Sequence, residues 1–423
     1  MKLKPERFTA KVFFCVIMGM MMFSVLSLAV KQAAKLMGVK EIKIDWERLY
    51  PFDDGEIHYV EAEKESLYEY VKRKLEDYTS SFLIGYQRII EASKKYEDIV
   101  RWNMVSVFDY NAVVKLRDGY LTTYQASLDV VPDAEAVKNF ADFCAERGID
   151  FMYINFPTKV CVSEDKEISG VLDFANQNAD EFLAMLTESG VRNYDFRKNL
   201  HEAGMNHHGA FYVTDHHWKP ETGLWAAGEI LKILRDDLSW DVKPEILRPE
   251  NFEYVIYPEW FLGSHGKKVT LARAKPDDFT MIYPKFDTHT KFEAPIYRLN
   301  IEGNFNITYN MNEVEPKDYY GKNTNGAYMH GRQPLVRFEN TQKENGKRLL
   351  VVYDSFSDSV LPFLSLGVKY VDAIDLRTFT GSLQTFIEAT HPDAIIVEYY
   401  ATVPGSSSKP SVTNEEKKFY DFR

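Results

Sequence analysis

The stretch RLLVVYDSFSDSVLPFLSLG runs from Arg348 to Gly367. Four apolar residues and Tyr353 read as a buried strand, and Ser355 to Gly367 reads as a helix that follows at once. Such a turn puts Asp354 and Ser355 at the carboxyl end of a strand, where open α/β sheets bind their ligands. It also puts them at a helix N-terminus, where free N–H groups and the helix dipole favour negative charge. That is a suitable place to stabilise an oxyanion. Ser and Asp are also the commonest helix caps, so the turn alone does not decide the chemistry.

The same rhythm recurs on either side. Upstream, DAEAVKNFADFCAERG reads as a helix ending at Gly148, IDFMYINFP as a buried strand, and QNADEFLAMLTESG as a helix closed by Gly190. VRNYDF is a short strand, and GLWAAGEILKILRDDL is a helix. Downstream come the strand VKYVDAIDL, the helix GSLQTFIEAT and the strand PDAIIVEYY. This alternation predicts a three-layer α/β/α fold with a parallel sheet. Residues 239–345 break the rhythm and read as a partly β insertion. Ahead of the first helix, Val113, Val114 and Leu116 are strand-like, and Asp118-Gly119 signals a hairpin turn.

The chain has 423 residues, enough for one large domain with an appendage. A net charge of −12 disfavours nucleic acid as a partner. Aromatic residues make up 14%, which suits stacking on sugars as well as core packing. Cys144 and Cys161 have neither zinc-like nor CxxC spacing; a single bridge is open to them, and buried free thiols are preferred.

Lys2, Lys4, Arg7 and Lys11 precede Val12 to Val30, a run of 19 residues without a charge. A run of about 20 apolar residues spans a bilayer, and the basic flank predicts a cytoplasmic N-terminus. The expected location is the cell membrane, with a single span and an extracytoplasmic C-terminal domain. A cleaved signal peptide at Ser27-Leu28-Ala29, leaving a secreted protein, is the alternative. The expected organisation is an anchor over 1–40, a helical stalk or packing segment over 41–104, a catalytic domain over 105–405 and a tail over 406–423.

The second informative stretch is FYVTDHHWKPETG, Phe211 to Gly223. It offers Asp215, His216 and His217 just ahead of a helix. Ser355 needs a base to become a nucleophile, and the base needs a carboxylate to fix its tautomer. Both stretches should open on one edge of one sheet. A rival reading uses His207, His208, Asp215, His216 and His217 as metal ligands, although they lack the H-E-x-x-H spacing. Another is a non-catalytic polysaccharide-binding or scaffold protein of the cell envelope.

TDHHWKPETG with a downstream YDSF resembles the DHHW family, which is similar to the alginate O-acetylation proteins and to the SGNH hydrolase-like fold. VVKLRDGYLTTY, YINFPTK and DSFSDSVLPFL support the resemblance, which covers most of residues 105–400. It implies a bacterial O-acetyltransferase or acetylesterase acting on a cell-surface polysaccharide through an acetyl-serine, without a cofactor. The implied acyl donor is a membrane-bound partner protein. The D-x-H spacing of the relatives falls on Asp215 and His217, with Ser355 as nucleophile and Trp218 after the base. His216 is then an extra residue with a packing or hydrogen-bonding role. Asn155, Arg377 and Tyr399, at strand ends, and Trp218 are candidates for the second oxyanion donor or for substrate contacts. Tyr353 stands where the wider SGNH pattern has Gly, and the nucleophile lies late in the chain, as in the alginate relatives.

Overall fold

The computed structural model describes residues 113–116, 118–161, 173–295, 298–343, 346–409 and 418–423. The chain divides into two compact units, Met1–Ile89 and Ile90–Arg423, and every described residue belongs to the second. The apolar run Val12–Val30 and the helical stalk or packing segment expected over 41–104 lie outside the described residues. Among the described residues no helix is long and apolar enough to cross a membrane.

A hairpin of β1 (Val114–Lys115) and β2 (Leu121–Thr122) turns at Asp118-Gly119, with Gly119 at φ +98°. The α/β alternation follows as α1 (Val131–Glu146), β3 (Asp150–Phe156), α2 (Ala175–Glu188) and β4 (Asn193–Asp195). The sequence reading missed α3 (Phe196–Glu202), which starts where Asp195 accepts a hydrogen bond from the Arg197 N–H. Next come α4 (Pro220–Asp236), β5 (Phe252–Phe261), α5 (Ser264–Val269), β6 (Asp277–Pro284), β7 (Thr290–Ala294), β8 (Leu299–Gly303) and β9 (Leu335–Asn340). The chain closes with β10 (Arg348–Tyr353), α6 (Leu361–Gly367), β11 (Tyr370–Ile374), α7 (Leu383–Thr390) and β12 (Ala394–Tyr400).

Eight strands form one sheet in the order β4-β3-β12-β10-β11-β9-β7-β8. The five from β4 to β11 are parallel. The expected all-parallel sheet is corrected here: β9 runs antiparallel to β11, and β7 and β8 continue antiparallel, so the sheet is mixed. All three added strands come from the stretch over 239–345. The physical reason is edge closure. β9 pairs with β11 from Leu335↔Ile374 to Glu339↔Tyr370 and satisfies an edge that would otherwise leave backbone groups bare. β5 and β6 form a separate antiparallel ribbon.

Strand alternation assigns the two faces. Met152, Ile154, Phe156, Leu349, Val351 and Tyr353 share one core with Phe196 of α3, Leu224 and Leu231 of α4, and Phe363 of α6. The opposite face carries Phe151 and Tyr153, which meet Phe140 of α1 and Phe182 of α2. Helices therefore cover both faces. Segment 406–423, expected as a tail, contributes buried Phe419, Tyr420 and Phe422, and Phe422 stacks on Phe140. Cys144 and Cys161 are both buried and are not bridged to each other.

One contact fixes the site's position. At Gly223 on α4, an added Cβ would lie 2.4 Å from the Ser359 carbonyl oxygen. Glycine there lets α4 pack directly against the turn that carries Ser355.

Candidate active site

Ser355 follows β10 at the carboxyl end of the parallel strands. Asp354 is extended, and its carboxylate accepts from the Phe356 N–H and from the Tyr400 N–H, both at 2.8 Å. The second bond ties the turn to the end of β12. The single helix expected over Ser355–Gly367 is a 3-10 turn, Ser355–Ser359, followed by α6 with Pro362 in its first turn. Proline suits a first helical turn and breaks continuity with the residues before it.

The TDHHW stretch is a tight loop rather than a strand end. Phe211 and Trp218 form an isolated antiparallel bridge that closes it. Asp277 holds it from one side, accepting from the Val213 N–H at 2.7 Å and from the Thr214 N–H at 2.8 Å. Lys159 holds it from below: its buried ammonium donates to Leu121 O at 2.7 Å and to the carbonyl oxygen of Asp215. Burial pulls Lys159 down to about 7, against the upward pull of the Asp215 and Asp277 charges.

This loop brings His217 to Ser355. His217 Nδ1 lies 2.5 Å from Asp215 Oδ1, and His217 Nε2 lies 2.8 Å from Ser355 Oγ. An ionised carboxylate only accepts, so the ring proton sits on Nδ1. That leaves Nε2 to accept from the Ser355 hydroxyl, the geometry of a general base next to its nucleophile. Burial pushes Asp215 up, but the histidine charges and the bonds from His217 outweigh it and hold the carboxyl well below the usual range. Burial pulls His217 down, but Asp215 outweighs that and raises it above the ordinary imidazole value.

The other candidates fall into different places. Trp218 is buried, and its Nε1–H donates to Phe356 O at 2.9 Å, locking the His217 loop to the Ser355 turn. Asn155 is buried at the end of β3, with Nδ2 3.4 Å from Asp195 Oδ1. Arg377 makes a two-pronged pair with Asp375, both bonds 2.8 Å. The buried Tyr399 hydroxyl donates to Phe419 O at 2.7 Å and is turned to the C-terminal segment. His216 Nδ1 is 3.1 Å from Ser264 Oγ.

The five-ligand histidine cluster is split. His207 Nε2 faces Thr158 O at 2.9 Å, and His208 Nδ1 pairs with Asp118, both away from Asp215. Asp215, His216 and His217 do bring one ligand atom each within 4.8 Å of the others. Within this trio Asp215 Oδ1 is already hydrogen-bonded to His217 Nδ1, and His217 Nε2 faces Ser355 Oγ.

Sequence reasoning missed the support supplied by the GSHGKKV stretch. It forms the whole of α5, with Gly263 as its N-cap. The Ser264 N–H donates to Asp215 Oδ2 at 2.5 Å, and Lys267 Nζ donates to Lys322 O at 2.7 Å. Nothing in its composition marks a partner for Asp215.

Residues 117–252 match the family described as SGNH hydrolase-like domain, acetyltransferase AlgX. The domain is SGNH hydrolase-like. The matched segment contains Asp215 and His217 and ends before Ser355. Bacillus cereus PatB1 has the same fold at 17% identity and a TM-score of 0.58, over 74% of this chain and 99% of that one. PatB1 with a sulfonyl adduct aligns with a TM-score of 0.57 at 16% identity, over 73% and 99%. A DHHW family protein from Eubacterium siraeum aligns with a TM-score of 0.54 at 17% identity, over 73% and 94%. No curated protein sequence matches the chain.

Proposed function

We propose that this SGNH hydrolase-like domain is a serine-dependent O-acetyltransferase or acetylesterase acting on a cell-surface polysaccharide. The observation that carries the reading is the 2.8 Å approach of His217 Nε2 to Ser355 Oγ, with Asp215 on the far side of the imidazole. The match to the AlgX acetyltransferase family supports the acyl chemistry. His217 takes the Ser355 proton, and the alkoxide attacks the acetyl carbonyl. The tetrahedral oxyanion forms at the first N–H groups of the Ser355–Ser359 turn, where Ser355 N–H is an unused donor by position. His217 then returns the proton to the leaving group. The acetyl-serine passes to a sugar hydroxyl or to water. A membrane-bound acyl donor protein and an extracytoplasmic location, anchored through Val12–Val30, complete the proposal.

The test is incubation with 4-nitrophenyl acetate, followed by intact mass, beside Ser355→Ala and His217→Ala. An acetyl adduct on Ser355 that both folded variants lack is the expected result. Turnover kept by Ser355→Ala but abolished by a chelator would instead assign the chemistry to a metal at the histidines.

A further inference from the structure

A second cluster of chemically reactive side chains lies outside the Ser355 site. Cys161 follows β3, His201 sits in the last turn of α3, and His207 leads into the short turn His208–Ala210. Cys161 Sγ is 3.7 Å from His201 Nε2. The His201 and His207 rings stack with centroids 5.5 Å apart. One ligand atom of each residue lies within 4.8 Å of the other two. Cys161 and His207 are buried, whereas His201 is exposed.

The distances suit one ion. Bonds of about 2.3 Å to sulfur and about 2.0 Å to nitrogen, at tetrahedral angles, separate the two donors by roughly 3.5 Å. The Cys161–His201 pair is already close to that separation. Exposed His201 on a short helix has room to close the remainder. His207 is held as metal-bound histidines usually are. Its Nε2 faces Thr158 O at 2.9 Å and Lys159 O at 3.2 Å. Carbonyl oxygens only accept, so the proton is on Nε2 and Nδ1 carries the lone pair.

We propose that Cys161, His201 and His207 bind a thiophilic divalent ion, with Zn2+ favoured by one thiolate and two imidazoles. The fourth position opens to solvent on the His201 side. Binding releases the Cys161 thiol proton to solvent and forms the metal–sulfur bond, with no redox change. The ion would tie the segment after β3 to α3 and to the turn that enters the His217 loop. The competing reading is a thiol–imidazole hydrogen bond with no metal.

The test uses the full chain in detergent, stripped of metal and titrated with Co2+ as a spectroscopic probe for zinc. The expected result is one equivalent bound, with a sulfur-to-cobalt charge-transfer band that Zn2+ removes. Cys161→Ser should abolish the band. His201→Ala, at an exposed position that leaves the fold intact, should weaken binding by more than the roughly 10–100-fold that an outer-shell loss costs. His217→Ala should keep the band, which separates this site from the Asp215 cluster. Absence of the band, unweakened binding in His201→Ala, or loss of the band in His217→Ala would each overturn the proposal.

Discussion

The Ser264 N–H donates to Asp215 Oδ2 at 2.5 Å, while His217 Nδ1 engages Asp215 Oδ1 at the same distance. The two oxygens are thus committed to different partners, and the carboxylate cannot rotate without breaking one bond. This gives Asp215→Asn a defined outcome. Two backbone donors compete for the amide oxygen, and the shorter bond, from the Ser264 N–H, keeps it; the amide NH2 turns toward His217 at the cost of the 3.0 Å bond that the His217 N–H makes to Oδ1. His217 Nδ1 must then accept, and its proton moves to Nε2, facing Ser355. The base is lost without loss of the fold. A drop on the order of 10⁴-fold in the acetylation rate is expected. Single-turnover kinetics with a melting curve alongside would check it; a variant within tenfold of wild type would defeat the tautomer argument.

The pH profile follows from the His217 shift. A general base works when neutral, so kcat/KM should fall as pH drops through the His217 pKa. Asp215 raises that pKa against the pull of burial, which puts the acidic limb above the ordinary value of about 6.5. Asp215 is held low and stays ionised throughout this range. The linked stability has the matching sign. The contribution of charged His217 is complete below its unfolded pKa and is lost as pH rises through the raised folded value. A rate profile from pH 5 to 9 decides this, and an acidic limb below 6.5 would contradict the assignment.

Gly263 gives a steric prediction. A Cβ there would lie 2.3 Å from Asp215 Cβ and 2.6 Å from Asp215 Oδ2. These are side-chain atoms held by two hydrogen bonds, so they have little room to yield. Gly263→Ala should push the start of α5 off Asp215 and break the Ser264 bond. Overpacking of this kind costs about 1–3 kcal/mol. A lower melting temperature is expected together with a lower acetylation rate, while Gly228→Ala on α4, where an added Cβ meets only Leu247 Cβ at 3.9 Å, serves as a control for general damage.

How much of this was legible in sequence depends on range. β3, β10, β11 and β12 announce themselves as short apolar runs because both of their faces are buried. Ser355, Asp215 and His217 could be singled out because each sits where its residue type has chemical work to do at a strand or helix end. Trp218 stands beside His217 in the sequence and so joins the candidates for substrate contact; its burial and the bond from its indole N–H to Phe356 O are long-range features that the tetrapeptide does not encode. β7, β8 and β9 gave no sign of joining the main sheet, since pairing between Phe338 and Val371 is a long-range choice that no local pattern encodes. Ser264 was invisible for the same reason, because its contribution is a backbone N–H. Side chains leave a trace in sequence; backbone donors do not.

Glu398 carries the last prediction. It lies on β12, fully buried, and no cation pairs with it among the described residues. Burial pushes it up to about 8, with the Asp354 charge adding to the rise and only the Ser357 hydroxyl pulling the other way. In the unfolded chain the same group ionises near 4.3. Below that value both states are protonated, and the Glu398 contribution to stability is complete. As pH rises the unfolded state gains by ionising while the folded state does not, so stability falls until about pH 8. Glu398→Gln removes the ionisation and keeps the shape. Wild type and variant should therefore melt alike at pH 4.5, with the variant more stable at pH 8 by up to about 5 kcal/mol, the full linkage over that interval. Melting curves at the two pH values suffice. A variant equally stabilised at both would mean better packing rather than a removed charge, and a variant destabilised at pH 8 would mean that the carboxylate is held by a partner.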